Sequence, residues 1–418
     1  MKDRDAVIVS AVRTPMGSKK GLLSKSRSDD MLAVAFKAAL ERVPQFDDWK
    51  MIDDITAGTA FPEAEQGMNL GRISGLLAGI PEEVPAHTVS RMCGSAMTGL
   101  HYAAMAIQSG AFDVVLEGGV ESMTLVPMTS NKPTPNIRFI KALYGEDIEG
   151  IELPEVLHNP YMGMGETAEN IIDRYGDKYD ITRQSMDEFA FNSHQRALKA
   201  QEEGKFDDEI VPVIINPKTG DVEIYREEKG IPEGWVKLDK DEGPRKETTV
   251  EVLGKLRPVF RKGGRVTAGN SSPINAGAQA MLIMSYAKAK ELGLEPLARI
   301  AGVGVAGLDP EIMGLGPIYS TQDLMKRYGY TIKDFQLAEV NEAFAAQSIP
   351  SVKELGLDFD IVNVNGGAIS LGHPLGESGP RITTTLLYEM RRRNLNLGVA
   401  SMCIGGGMGI ATAIEIER

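Results

Sequence analysis

Apolar and polar positions follow the same plan in two separate stretches of the chain. Each stretch predicts a strand, a helix, a second strand, a second helix and a third strand. In the first stretch these elements lie at residues 54–59, 68–77, 86–89, 96–109 and 114–116. In the second they lie at residues 336–340, 343–355, 361–365, 381–393 and 398–401. The pattern predicts a duplicated α/β architecture with helix-covered sheets, and duplicated halves often bind ligand where they meet.

The segment between the two stretches has a different composition. Residues 127–160 are rich in proline, asparagine and charge, and residues 216–246 resemble a solvated, charged loop. Helices are predicted at 168–175 and 182–203, the second with Thr182 as its N-cap. We expect a loop-rich insertion, at about 122–262, that belongs to the first half. Such insertions often carry substrate specificity or oligomer contacts.

Composition narrows the class of protein. The chain has 418 residues, of which 42% are apolar and 25% charged, as expected for a globular protein of two or more domains. A net charge of −13 disfavours nucleic acid and anionic membranes as partners. The uncharged segment 394–414 contains five glycines, so it predicts two buried strands rather than a membrane span. No signal peptide or disulfide framework is expected, which makes a cytoplasmic location the default.

The two cysteines of the chain both lie in glycine-rich turns. Cys93 precedes a helix start, where the positive end of the helix dipole is expected to lower the thiol pKa. Cys403 comes just before Gly405-Gly406-Gly407. His373 lies in Gly372-His373-Pro374 and is a candidate base for a thiol. A packing cysteine and a structural turn histidine are the alternatives that these motifs leave open.

Metal and dinucleotide sites are not predicted. The chain has no Cys-x-x-Cys motif and no second histidine near His373 that would complete a metal-ligand set. The run of glycines at 405–407 opens into another apolar strand, so no helix follows to receive a pyrophosphate. We therefore expect no metal and no permanently bound cofactor.

Several ordered motifs together identify a family. The chain resembles the thiolases along almost its entire length, and it is closest to degradative 3-ketoacyl-CoA thiolases (acetyl-CoA acyltransferases). The matching blocks lie at residues 7–15, 90–97, 120–123, 165–170, 256–260, 267–272, 341–347, 372–374 and 401–407. The resemblance implies a thiolase-like α/β fold of two similar βαβ halves in a layered α-β-α-β-α arrangement. The implied N-terminal half is 1–287, and the C-terminal half is 288–418.

The resemblance also implies a role for each reactive residue. Cys93 would take the acyl group as a thioester, and His373 would accept its proton. Cys403 would act as acid and base at the substrate α-carbon. Asn341 would hold a water that forms one oxyanion hole with His373. The backbone N–H groups of Cys93 and Gly405 would form the other oxyanion hole.

The implied reaction is reversible and ping-pong: a 3-ketoacyl-CoA and CoA give acyl-CoA and acetyl-CoA, as in fatty acid β-oxidation. Coenzyme A is then a substrate. Its expected contacts are Met164, Arg245, Phe260, Ala268 and Ser272. The family also implies a homodimer or homotetramer that pairs along a first-half strand, and a possible hydratase/dehydrogenase partner. The alternatives are an acetyl-CoA C-acetyltransferase confined to acetoacetyl-CoA and a non-catalytic acyl-CoA or lipid carrier.

Three positions depart from the family pattern. Glu377 and Pro380 stand where members usually carry small residues, and Gly163 stands where acetoacetyl-specific members tend to have a histidine. Pro380 suits the first position of a helix. Glu377 is expected to be a harmless first-turn acid, but it would raise the pKa of His373 if it pointed inward. Gly163 favours a broader 3-ketoacyl-CoA thiolase.

Overall fold

The computed structural model describes residues 1–128, 136, 139 and 159–417. The strands in these residues are β1 Ala6–Arg13, β2 Gly17–Ser18, β3 Asp54–Gly58, β4 Ala86–Val89, β5 Val114–Ser122, β6 Val213–Ile215, β7 Val222–Ile224, β8 Val236–Leu238, β9 Asn275–Ser285, β10 Ala298–Gly307, β11 Leu337–Val340, β12 Leu397–Ile404 and β13 Met408–Glu415. The α-helices are α1 Ser28–Glu41, α2 Leu70–Leu77, α3 Ser95–Ser109, α4 Met164–Tyr179, α5 Arg183–Glu202, α6 Val250–Gly254, α7 Tyr286–Glu291, α8 Gly316–Tyr328, α9 Ala345–Leu355, α10 Ala368–Leu371 and α11 Ser378–Arg393.

The main sheet repeats one strand order on either side of a narrow joint. Its path is β11-β12-β13-β10-β1-β9-β5-β3-β4, with β2 beside β9. At the joint, β1 and β10 pair only through Val7 with Arg299 and Ile8 with Ala298. From the joint outward, each side has two antiparallel pairs followed by a parallel pair. The duplication predicted from the sequence is therefore present in the sheet.

Helices α3 and α11 pack against each other between the two sides of the sheet. Met97 and Leu100 on α3 share one buried apolar cluster with Leu386 on α11. The same cluster contains Ile283 of β9 and Ile414 of β13, which belong to opposite sides of the joint. The sheet therefore covers this central helix layer from both sides.

Two outer clusters complete the layers. Phe36 of α1 packs in a cluster with Leu116 of β5, on the outer face of the first half. Leu324 of α8 packs in a cluster with Val399 of β12, on the outer face of the second half. Strands buried on both faces read as nearly continuous apolar runs, as β12 does. The layered α-β-α-β-α arrangement expected from the sequence is confirmed.

The insertion contacts both halves. Ile171 of α4 and Met186 of α5 join the outer cluster of the second half. Residues 216–246 are not only a charged loop, because they contain β7 and β8, which pair with β6 in a small antiparallel sheet. These strands have three residues each, too few for an alternating pattern to stand out among charged neighbours. Thr182 is the N-cap of α5, as predicted, and its hydroxyl accepts from Ser185 N–H.

The strand predicted at 361–365 does not form. A short 3₁₀-helix occupies Phe359–Ile361, and beyond it only Val362 bridges to Ala338 of β11. Asn363 has a φ of 47°, and its side-chain amide accepts from Val340 N–H and donates to Val340 C=O, both at 2.8 Å. This amide pairs with the edge strand as a backbone would, so no strand is needed there.

Two further expectations concern the C-terminal region. Helix α11 begins at Ser378, three residues earlier than predicted, so Pro380 is its third residue rather than its first. A first-turn N–H has no partner within the helix, so proline is tolerated there. The uncharged segment at 394–414 forms β12 and β13, two buried antiparallel strands, as predicted. In the described part of the chain, no helix has both the length and the apolar character to cross a bilayer.

The close approach of α3 and α11 leads to a prediction about the stability of glycine variants. A Cβ at Gly379 would lie 2.5 Å from Met97 Cβ, whereas a Cβ at Gly254 of α6 would meet nothing within 4 Å. Gly379→Ala should therefore destabilise the fold by about 1–3 kcal/mol through overpacking. Gly254→Ala should be close to neutral. Urea denaturation followed by circular dichroism measures both, and equal midpoints for the two variants would contradict the close-packed interface.

Candidate active site

The turn that carries Cys93 is held in a strained conformation between β4 and α3. Met92 has a φ of 47°, which is uncommon for a residue with a side chain. Ser95 secures the turn, because its Oγ accepts from Arg91 N–H at 2.9 Å and donates to Thr59 C=O at 3.0 Å. Strained backbone of this kind concentrates at functional sites.

Burial controls the ionisation of Cys93. The residue is 2% exposed, and burial raises the pKa of its thiol to about 12. The backbone N–H groups of Gly405 and Cys93 favour the ionised sulfur and lower its pKa in part, while the charge of Glu121 raises it. The expectation that the helix start would lower this pKa is therefore wrong, because desolvation is the larger effect. A neutral thiol needs a base before it can act as a nucleophile.

The second cysteine lies beside the first. Cys403 is buried near the end of β12, and burial together with the charge of Cys93 raises the pKa of its thiol. A Cβ at Gly94 would lie 2.4 Å from Ile404 Cδ1, so the start of α3 abuts the end of β12. The structure thus brings Cys93, Cys403 and Gly405 together from opposite halves.

His373 lies between α10 and α11 and is fully enclosed. Its Nδ1 is 2.7 Å from Ser378 Oγ, and its backbone N–H donates to Asn275 Oδ1 at 3.1 Å. Burial, aided by the positive charge of Arg381, lowers the pKa of His373 to about 3. The imidazole is therefore neutral at physiological pH, which is the state that can accept a proton.

Asn341 connects His373 to the strand that carries Cys403. Its Nδ2 lies 3.4 Å from both ring nitrogens of His373, and its backbone N–H donates to Ser401 C=O at 2.9 Å. Its Oδ1 is buried and has no hydrogen-bond partner among the described residues. An unpaired buried amide oxygen is an acceptor available to a small donor such as water.

Glu121 is a functional residue that the sequence analysis did not single out. This buried carboxylate accepts from the backbone N–H groups of Ala60 at 2.7 Å and Gly376 at 2.8 Å, and from Gln66 Nε2 at 2.6 Å. It therefore ties the loop that follows His373 to the first half. The sequence signal that could have identified Glu121 is its charge, because it lies in a strand composed mostly of apolar residues and glycines.

Three of the five expected CoA contacts lie around the loop that follows Asn341. The Phe260 ring is 40% exposed and stands edge-on to Phe344, with 5.8 Å between ring centroids. Ser272 N–H donates to Ala343 C=O at 2.9 Å, which places it against the same loop. Met164 starts α4 and contacts both the central and the second outer cluster.

The other two contacts are more exposed. Ala268 lies at the surface between Thr267 and Gly269. Arg245 is exposed beside α5, where its backbone N–H donates to His194 Nδ1 at 3.2 Å. Arg245 therefore lies beside α5 as an exposed cation, apart from the contacts grouped around Phe260.

Comparison with known proteins identifies the family. The model of the N-terminal domain of thiolases matches residues 6–287, and that of the C-terminal domain matches residues 294–416. The chain belongs to the thiolase family. It is 45% identical to a 3-ketoacyl-CoA thiolase of Bacillus subtilis (strain 168), covering 99% of this chain and 100% of the relative. It is 42% identical to an acetyl-CoA acetyltransferase of Pseudomonas aeruginosa, covering 98% and 99% respectively.

Comparison with solved structures agrees with this family assignment. The human mitochondrial 3-ketoacyl-CoA thiolase, in a crystal structure in complex with CoA, superposes with a TM-score of 0.83 at 38% identity. The match covers 99% of this chain and 98% of the human one. The family resemblance and fold class predicted from the sequence are both confirmed.

Glu377 is buried in this thiolase rather than lying at the surface. It is the N-cap residue of α11, and neither of its carboxylate oxygens has a hydrogen-bond partner in the described structure. Burial raises its pKa to about 8. The conditional expectation that an inward Glu377 would raise the pKa of His373 is wrong, because burial and Arg381 lower it instead.

Burial explains why Glu377 holds its proton, and the buried charges around it change its pKa less. Arg13 is fully buried and bonds to Glu209 at 2.8 Å and Asp241 at 2.6 Å. Arg381 is also fully buried, and none of its nitrogens has a hydrogen-bond partner among the described residues. Burial has the largest effect on the pKa of Glu377 and raises it. Arg381 and Arg13 lower this pKa in part, whereas Asp241 and Glu209 raise it further.

The raised pKa of Glu377 predicts a pH-dependent stability term. Its folded pKa, about 8, exceeds the usual value of 4.5, so its contribution to stability is lost as pH rises through this window. Glu377→Gln keeps the shape of the protonated acid and removes the titration. Relative to the parent, the variant should gain about 1–4 kcal/mol in free energy of unfolding between pH 5 and pH 8.

Urea denaturation at the two pH values measures this difference. Other buried acids, such as Glu117, contribute slopes of the same sign, so only the difference between variant and parent is informative. Exposed Glu233→Gln is the control and should leave the pH dependence unchanged. A parallel pH dependence in Glu377→Gln and the parent would show that Glu377 is ionised in the folded protein.

Proposed function

We propose that the chain catalyses thiolysis of 3-ketoacyl-CoA by CoA, giving acyl-CoA and acetyl-CoA through a thioester on Cys93. One observation carries the proposal. Two buried thiols and a buried imidazole lie near the point where the first turn of α3 meets the turn before α11, since Ala96 N–H donates to Gly376 C=O at 2.9 Å. Burial keeps all three groups neutral, and the backbone N–H groups of Cys93 and Gly405 favour negative charge on the first sulfur. This arrangement supplies a nucleophile, a base, a second acid and donors for developing negative charge.

The first half-reaction cleaves the substrate. His373 takes the proton of Cys93 as the sulfur attacks the 3-keto carbon, and the carbonyl oxygen becomes an oxyanion. The bond between C2 and C3 then breaks, which leaves the acyl group on Cys93 and an acetyl-CoA carbanion. Cys403 donates its proton to that carbanion. In the second half-reaction the CoA thiol gives its proton to the Cys403 thiolate and attacks the thioester. The bond to the Cys93 sulfur breaks, this sulfur takes back its proton from His373, and the acyl group leaves as acyl-CoA.

Two sets of donors are proposed for the oxyanions. The N–H groups of Cys93 and Gly405 would stabilise one, and the support is that both lower the pKa of the Cys93 thiol, as donors near negative charge on its sulfur would. A water on Asn341, together with His373, would stabilise the other. The free Oδ1 of Asn341 supports a water there. Preorganised donors of this kind are each worth about 10²–10³ in rate.

Coenzyme A is proposed as a substrate rather than a permanent cofactor, bound along Met164, Phe260, Ala268 and Ser272 with Arg245 at the nucleotide end. The CoA complex of the human relative supports CoA binding.

We also keep the division into an N-terminal half, 1–287, and a C-terminal half, 288–418, as part of the proposal. A role in β-oxidation fits the name 3-ketoacyl-CoA thiolase that several relatives carry, and the site would then receive its substrate from a 3-hydroxyacyl-CoA dehydrogenase. A cytoplasmic location is also part of the proposal.

A homodimer or homotetramer is proposed for the assembly. Strand β4 is an edge of the main sheet and is half-buried throughout, and Met92 and Met105 are exposed nearby. A cavity of about 470 Å³ beside β4 is lined by His87 and Tyr102 among others. A free edge and apolar surface support pairing with a second copy. Light scattering should give at least twice the chain mass of 45.3 kDa, and an active monomer would contradict pairing.

Replacing Cys93 and replacing Cys403 should impair different steps of the reaction. Cys93→Ala removes the acyl acceptor, so labelled acetyl-CoA should leave no label on the protein. Cys403→Ala keeps the nucleophile, the base and the donors, so it should still take up label. It should lose about 10²–10⁴-fold in thiolysis and condensation because proton transfer at the α-carbon is absent. If Cys403→Ala proves as unable to form the acyl-enzyme as Cys93→Ala, the division of roles is wrong.

Chain-length kinetics separate the proposal from its alternative. Relatives with two different names, 3-ketoacyl-CoA thiolase and acetyl-CoA acetyltransferase, match this chain at similar identity. We expect thiolysis of 3-ketoacyl-CoAs longer than acetoacetyl-CoA, with kcat/KM for a medium chain at least equal to that for acetoacetyl-CoA. Activity restricted to acetoacetyl-CoA would favour the acetyltransferase, and no labelling of Cys93 would favour a non-catalytic carrier.

A further inference from the structure

Ser378 makes a hydrogen-bond pattern that the proposed reaction does not by itself require. It is the first residue of α11 and is fully buried. Its Oγ lies 2.6 Å from the carbonyl oxygen of Pro374 and 2.7 Å from Nδ1 of His373. Both distances are short for their kind, so both contacts are hydrogen bonds.

Counting protons fixes the direction of these two bonds. A hydroxyl has one proton, and a carbonyl oxygen can only accept. Ser378 O–H must therefore donate to Pro374 C=O. The remaining contact requires Ser378 Oγ to accept, so the proton between the two residues is on His373 Nδ1. A neutral imidazole has one ring proton, so Nε2 carries the lone pair.

We propose that Ser378 is a positioning residue that holds His373 as the Nδ1–H tautomer, so that Nε2 is the atom that receives the proton of Cys93. The proposal deepens the proposed function, because it rests on His373 being the base. The tautomer itself can be measured without any turnover.

The other neighbours of the ring agree with this tautomer. Asn341 approaches the ring through its Nδ2, which is a donor and cannot accept a proton from Nε2–H. Asn275 binds the backbone N–H of His373 and leaves the ring nitrogens to others. Of the groups that contact the ring, Ser378 is thus the one whose oxygen accepts from it.

The same contact serves the ring before and after proton transfer. When Nε2 takes a proton, the imidazolium carries a proton on each nitrogen, and Nδ1–H keeps Ser378 Oγ as its acceptor. No hydrogen bond has to be reorganised at that step, which is how a preorganised site lowers a barrier. Because Ser378 starts a sixteen-residue helix, the ring is anchored to a rigid element.

The test uses the fact that the chain has two cysteines. In a Cys403→Ala background, Cys93 is the only thiol, and its alkylation by iodoacetamide reports thiolate formation assisted by His373. Ser378→Ala should slow this alkylation about tenfold at neutral pH, the equivalent of one lost hydrogen bond. In full-length protein with both cysteines, the same change should lower kcat for thiolysis with little change in KM. Ser378→Thr retains the hydroxyl and should restore both rates.

Thr383→Ala is the matched control. Thr383 is buried on the same helix and bonds the Gly379 carbonyl four residues back at 3.0 Å, as Ser378 bonds Pro374, but it does not touch His373. In Thr383→Ala, the alkylation rate of Cys93 should stay within twofold of the rate in the parent. Equal slowing in Thr383→Ala and Ser378→Ala would assign the effect to the helix and overturn the proposal.

Nitrogen-15 NMR of the histidine rings provides the direct measurement. The parent should show a protonated Nδ1 and an unprotonated Nε2 for His373, and Ser378→Ala should lose this preference. A proton on Nε2 in the parent overturns the proposal even if Ser378→Ala does not fold. An Nδ1–H tautomer in a protein that performs no thiolysis would instead contradict the proposed function and leave the tautomer assignment standing.

Discussion

The position of every reactive group depends on a backbone contact between the two halves. Ala96 N–H, in the first turn of α3, donates to the carbonyl of Gly376 at 2.9 Å, just before α11 begins. This approach requires glycine, because a Cβ at Gly376 would lie 2.5 Å from Ala60 N and one at Gly119 would lie 2.5 Å from Ala96 Cβ. Neither half contains a complete set of reactive groups. The site exists only where these two turns touch.

Burial determines the protonation states of the groups in that site. It raises the pKa of both thiols and lowers the pKa of His373, so all three groups are neutral in the closed interior. A preformed thiolate–imidazolium pair would have to exist without water to solvate it. Charge therefore has to appear during the reaction, next to donors already in place such as Gly405 N–H. Low dielectric makes those donors stronger than they would be in water.

Local patterns could be predicted from the sequence, and long-range contacts could not. Strand β4 and the Thr182 cap were predicted correctly because apolar runs and caps are encoded by neighbouring residues. The strand at 361–365 was wrong because the Asn363 side chain replaces it through a bond to another strand. The reactive residues stood out by type and by their glycine-rich turns. The direction of the Cys93 pKa shift depends on enclosure by the other half, and the role of Glu121 depends on a partner 255 residues away.

The duplication explains how one backbone plan supports two different chemistries. Counting outward from the joint, β5 of the first half corresponds to β12 of the second, and α3 corresponds to α11. The turn before α3 carries Cys93, the proposed nucleophile, and the equivalent turn before α11 carries His373, the proposed base. Strand β5 carries Glu121, which anchors the loop of the base, and β12 carries Cys403 beside the nucleophile. Because the two halves are related by structure but differ in these side chains, the repeated fold supplies positions in pairs, and the residue at each position decides its function.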